Sequence, residues 1–179
     1  MNWGKKKIAG VTYDLGHLDP FVMEVAGKAE GAPTYKIRVS FGCHTFTREL
    51  TGEDKPDLHF HGGGECRCFC VERYKLSLEL PGLVRYASDG KAYFSERSNF
   101  LVVESLPGAN APYVAFFNVE RAKKLDGYDL AMFIISAHLK PELPNRLPAV
   151  TFYTLIDYRF RGRPLKRPEP RKVIVVKRK

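Results

Sequence analysis

The sequence predicts an α+β fold that is mainly antiparallel β-sheet, with one kinked helix packed on it. Three observations lead there: a strictly alternating run at residues 35–41, a single interrupted helical pattern at 71–87, and a series of β-rich segments after residue 100 separated by turn clusters. Along the chain, residues 8–13 read as a first strand and GKAEGAP (27–33) as a loop. In the alternating run Tyr35, Ile37, Val39 and Phe41 share one face, which marks a half-buried strand. Residues 51–57 form a polar connector. Leu76, Leu80, Leu83 and Val84 carry helical periodicity. Pro81 interrupts them, so a kink or two short helices is expected.

The C-terminal half reads as strands at 100–104, 113–120, 130–139 and 150–160, joined as an antiparallel meander. Met132, Phe133, Ile134 and Ile135 make the 130–139 segment apolar on both faces, so it is expected to be central. A last short strand is expected over 172–176. Residues 1–163 are read as a single domain and 164–179 as a basic, proline-containing tail.

Composition narrows the class. At 179 residues and 44% hydrophobic content, the chain supports one domain with a substantial core. No apolar run approaches the roughly 20 residues needed to cross a bilayer, and Lys5, Lys6 and Lys7 are not followed by a signal-peptide core. A cytoplasmic protein with no membrane partner is therefore expected. Residues 159–179 hold ten basic side chains against Glu169 alone, which accounts for the whole net charge of +9 and leaves residues 1–158 neutral by count. Such a segment attracts phosphate polyanions through counterion release. Nucleic acid, RNA ahead of DNA, is the expected partner. Arg161, Arg163, Lys166, Arg167, Arg171, Lys172, Lys177, Arg178 and Lys179 are the expected contacts.

The segment from Asp57 to Cys70 reads as a hairpin around Gly62, Gly63 and Gly64. A three-residue turn is the expected register. It places His61 opposite Glu65 and leaves an apolar face of Leu58, Phe60, Cys66, Cys68 and Cys70. A two- or four-residue turn would reverse the parity and gather His59, His61, Cys66 and Cys68, a Cys2His2 set, on one face. With the three-residue turn, no metal or other cofactor is expected.

Candidate catalytic residues are Ser136, His138, Tyr153, His44 and Arg159. Cys43 and His44 are adjacent on a strand and point to opposite faces, Cys43 to the core and His44 to the polar face. His44 is thus available for acid–base work. Ser136 and His138 share a face of the 130–139 strand. Tyr153, Asp157, Arg159 and Arg161 would share a face of the 150–160 strand. Their convergence would supply a base, an acid and a cation around one phosphate, as metal-independent RNA cleavage requires.

The order of elements over residues 71–162, a helical segment followed by a four-stranded antiparallel meander with a basic end, resembles in outline the small RelE-like ribonuclease toxins. That resemblance implies a small metal-independent ribonuclease. The leading reading is a nucleic-acid-interacting protein with that activity. The alternative is a non-enzymatic inhibitor or adaptor that binds a protein partner, its basic tail steering association. Phosphate-loop, dinucleotide-binding and nucleophile-elbow motifs are absent from the sequence.

Overall fold

The computed structural model describes residues 2–95, 100–123 and 126–177. The N-terminal region forms a hairpin of Lys5–Ile8 (β1) and Val11–Asp14 (β2). Ala9 and Gly10 turn it, both with positive φ, so the single strand expected over 8–13 is two. Phe21–Ala26 (β3) pairs antiparallel with Thr34–His44 (β4). On β4, Tyr35, Ile37, Val39, Phe41 and Cys43 are buried, while His44 is half-buried on the opposite face. The alternating sequence pattern is realised residue by residue.

Thr47–Arg48 (β5), His59–Gly62 (β6) and Glu65–Phe69 (β7) form a small sheet in the order β5-β7-β6. The β6–β7 register corrects the expected hairpin. Gly62 pairs with Glu65, His61 with Cys66, Phe60 with Arg67 and His59 with Cys68, so the turn has two residues. The reason lies in Gly63 and Gly64, whose φ values of 67° and 83° suit the turn that matches strand twist. Gly62 is a strand residue, and a Cβ there would meet the Phe60 ring at 2.7 Å.

Val71–Ser77 (α1) and Leu80–Ala87 (α2) follow, with Pro81 in the first turn of α2. Proline removes a backbone donor that the first turn leaves unpaired anyway, so the interruption becomes a helix start. Lys91–Phe94 (β8), Phe100–Ser105 (β9), Tyr113–Arg121 (β10) and Leu130–Leu139 (β11) run antiparallel in sequence. Next come Arg146–Leu147 (β12), Ala149–Thr151 (β13) and Phe152–Phe160 (α3).

α3 overturns the strand expected over 150–160. The Thr151 hydroxyl caps it by accepting from the Thr154 N–H at 3.1 Å. Phe152, Leu155 and Ile156 fall on one helical face and are buried. Asp157 and Arg161 form an ion pair at 2.7 Å with helical spacing. The fourth strand of the RelE-like element order is therefore a helix.

The main sheet runs β13-β8-β9-β10-β11-β4-β3, and β11 pairs with β4 in parallel. The fold is corrected accordingly. The chain is mostly β, its sheet is curled and mixed rather than mainly antiparallel, and three helices occur among the described residues. The parallel pair joins the N-terminal half to the meander, a long-range contact that local pattern does not encode. One face of the sheet packs Tyr35, Ile37, Val39, Phe117 and Met132 against Leu80, Leu83 and Val84 of α2 and Phe152, Leu155 and Ile156 of α3. Burial of each such side chain is worth about 1.5–3 kcal/mol. A smaller cluster of Tyr93, Leu101, Val103, Val114 and Leu147 covers part of the opposite face.

The basic C-terminal segment docks on the body. Arg171–Lys172 (β14) pairs with β12, and Val176–Lys177 (β15) runs parallel to β9. Val173 packs on the smaller cluster. The Tyr93 hydroxyl accepts from the Ile174 N–H at 2.8 Å and donates to the Ile174 carbonyl at 3.3 Å. Arg178 and Lys179, expected as contacts, lie outside the described residues. Truncation after Arg163 is expected to lower the melting temperature by about 2–4 °C for each kcal/mol of lost pairing and packing. Paired thermal melts of the full and truncated chains check this, and coincident melts would show that docking contributes no stability.

Candidate functional site

β10, β11 and β4 lie side by side, and a β-bulge at Ile135 decides what they present. Phe116 pairs with Ser136 while Phe117 pairs with Ile134, so Ile135 is the extra residue. Before the bulge Met132 and Ile134 point into the core. After it, Ser136 and His138 point to the opposite face, beside Phe116 and Val114. The parallel register places Ser136 next to His44 at the end of β4.

Three of the five expected catalytic residues, His44, Ser136 and His138, thus line one cavity of about 590 Å³. Phe116, Lys140, Glu142 and Leu147 also line it.

His44 Nε2 lies 3.0 Å from Glu65 Oε2, and Arg67 Nη1 donates to the same oxygen at 3.2 Å. Arg67 Nε in turn donates to the Thr47 hydroxyl at 2.9 Å. The His44 imidazole and then the Arg67 guanidinium hold the Glu65 carboxyl below its ordinary value. This chain of contacts fixes the His44 ring and leaves Nδ1 for other partners. Sequence reasoning missed Glu65 as a site residue. With the three-residue turn it stood opposite His61, and only the two-residue register seats it beside Gly62.

His138 stacks on Phe116 with ring centroids 5.6 Å apart and planes 21° apart. Its Nδ1 is buried and has no hydrogen-bond partner among the described residues. Burial, with the positive charges of Arg73 and Lys140 adding to it, pushes the His138 pKa down to about 4. The ring is therefore neutral near pH 7, able to accept or donate a hydrogen bond but not to act as a cationic acid.

Tyr153 and Arg159 do not join this group, because their segment is helical and packs on the other face of the sheet. The Tyr153 hydroxyl donates to the Pro33 carbonyl at 3.2 Å. The Arg159 guanidinium sits 5.3 Å over the Phe100 ring. Asp157 accepts from the Tyr35 hydroxyl at 2.6 Å and from Arg161, so Arg161 is engaged in an ion pair. Arg163, Lys166, Arg167, Arg171 and Lys172 are exposed. On β14, Arg171 pairs with Leu147 and Lys172 with Arg146 of β12, and of these four residues Leu147 lines the cavity.

The YjaZ family model matches residues 5–160, from β1 to the end of α3. The chain belongs to the YjaZ family. The match takes in every residue of the cavity and ends before the basic C-terminal segment of this YjaZ-family chain. No curated protein and no solved structure matches the chain. Among the described residues, no helix is long and apolar enough to cross a membrane.

Because the folded-state pKa of His138 lies below its unfolded value of about 6.5, the unfolded chain binds the extra proton first. The neutral ring's contribution to stability is present above about pH 6.5 and is lost as pH falls toward 4. An NMR titration should show His138 neutral until about pH 4, and His138→Phe should flatten the loss of stability between pH 6.5 and 4. A His138 midpoint near 6.5 would contradict the burial assigned to it.

Proposed function

We propose that this protein binds single-stranded nucleic acid, RNA ahead of DNA, along β12 and β14 and cleaves it without metal in the His44–Ser136–His138 cavity. The observation that carries this reading is the position of the basic strand pair. Arg146, Arg171 and Lys172 are exposed, and β12 ends at Leu147 on the cavity wall. Cations on the strand pair that ends at Leu147 suit phosphates, and the half-buried Phe116 ring with the neutral His138 imidazole on it suits an unstacked base.

In this reading His44, oriented by Glu65, takes the proton of a 2′-hydroxyl through Nδ1. The freed oxygen attacks the adjacent phosphorus, the P–O5′ bond breaks, and a 2′,3′-cyclic phosphate forms. The leaving 5′-oxygen takes a proton from the Lys140 ammonium, and Ser136 hydrogen-bonds a phosphate oxygen. Such acid–base groups typically contribute about 10²–10⁴-fold each.

The adaptor reading draws support from a different place. Val22 and Phe133, 54% and 45% exposed, lie on the outward face near the edge strand β3, where a protein partner could cover them.

The test combines binding and cleavage. Binding of labelled single-stranded RNA should weaken with salt at a log–log slope of about −0.7 per phosphate contact, so replacing Arg171 and Lys172 with alanine should reduce the slope by about 1.4. Cleavage in EDTA should fall about 10²–10⁴-fold in His44→Ala with binding retained. A wild-type chain that binds no RNA at low salt would remove this reading and leave the adaptor reading. RNA binding without cleavage in any buffer would confine the cavity to recognition.

A further inference from the structure

We propose that the β6–β7 hairpin binds one soft divalent cation of the zinc type through His59, His61, Cys66 and Cys68. This proposal is independent of the nucleic-acid reading. The two-residue turn carries it. With Gly62 and Glu65 closing the turn as a hydrogen-bonded pair, the pairs His61–Cys66 and His59–Cys68 both fall at non-hydrogen-bonded positions, where facing Cα atoms approach to about 4.5 Å and side chains lie closest. The two pairs are one strand repeat apart on the same face. An imidazole and a thiol therefore face each other twice in succession, four donors of the type that tetrahedral zinc sites use.

The geometry of the outer pair already fits. Cys66 Sγ and His61 Nε2 are 3.9 Å apart. Zinc–sulfur and zinc–nitrogen bonds of about 2.3 and 2.1 Å at a tetrahedral angle put the two donors about 3.6 Å apart. Among the described residues, no three such groups are drawn to one point. The cross-strand pairing places the His59 and Cys68 backbones beside the outer pair, and the proposal requires both side chains to rotate toward it.

Burial and then the Asp54 carboxylate push the Cys68 thiol up, so a cation must displace its proton, and the Arg48 charge opposes that rise. Arg48 is the pairing neighbour of Cys68 on β5, and the Arg48 guanidinium is held by both carboxylate oxygens of Asp54. A cation next to the sulfur offsets part of the cost of a buried thiolate. Two thiols bind as thiolates, so two protons pass to solvent as the cation binds, and the site is neutral overall. Exposure of His61 and Cys66 leaves an entry path from the turn. A cation here would pin β7 to β6 and so fix Glu65, the residue that orients His44.

Cobalt(II) serves as the probe. Reduced, EDTA-stripped full-length protein titrated with Co²⁺ should develop the intense visible bands of a tetrahedral site and a near-ultraviolet thiolate-to-cobalt band, saturating at about one equivalent. Zn²⁺ should bleach those bands and raise the melting temperature. Cys66→Ser and His61→Ala, at exposed positions that leave the fold intact by circular dichroism, should lose the tetrahedral spectrum. The proposal is overturned by the weak absorption of hydrated cobalt alone, or by tetrahedral bands that survive in Cys66→Ser.

Discussion

The parallel pairing of β4 with β11 is the constraint on which the rest of the molecule depends. Without it the meander β8–β11 and the N-terminal strands would be separate sheets, each with an exposed edge. With it, one curled sheet buries Ile37, Val39, Met132 and Ile134 on a common face, and α2 and α3 have a surface to cover. Parallel neighbours need a long crossover. Here the crossover is residues 45–129, close to half of the chain, from β5 through β10. Functional consequence follows from the same register, since it is this pairing that brings His44 to Ser136.

A second local departure makes the pairing productive. The bulge at Ile135 shifts parity by one, and a period of two means that everything beyond it changes face. Had β11 stayed regular, Ser136 and His138 would have followed Ile134 into the core, where a hydroxyl and an imidazole would lack water and partners. The bulge lets one strand serve the core at its start and a polar cavity at its end. His138 still keeps much of its surface from water against Phe116, which is why its ring is held neutral.

What was legible in the sequence was whatever a single element decides for itself. Alternation on β4 named the core residues and put His44 on the outward face. The apolar periodicity and Pro81 foretold the α1–α2 break. What failed depended on one residue or on distance. Residues 152–160 are rich in Phe, Tyr, Ile and Thr, which favours strand by propensity. The Thr151 cap, the spacing of Phe152, Leu155 and Ile156, and the Asp157–Arg161 pair overrode it. Its loss as a strand removed Tyr153 and Arg159 from the expected site. Three consecutive glycines allow either turn length, and Gly62 turned out to be needed for clearance around Phe60 rather than for turning, so the register and the role of Glu65 stayed hidden. The parallel β4–β11 contact has no local signature at all.

The basic C-terminal segment shows how a charge count and a structure inform each other. By count, the excess positive charge lies after residue 158, and a loose tail would have to lose conformational entropy at each phosphate it met. Docking changes that. Between β14 and β15 the chain is tied to β12, to Tyr93 and to β9, so Arg171 and Lys172 are held on a strand rather than on a tether. Ordering them is part of folding, and a phosphate chain laid along β12–β14 would meet cations whose backbone is already placed. The same docking brings Arg171 and Lys172 beside Leu147, on the wall of the cavity that holds His44, Ser136 and His138. Net charge alone argues for attraction to a polyanion. Its placement on a fixed strand, paired with a strand that contributes Leu147 to the cavity lining, argues for where that polyanion would be delivered.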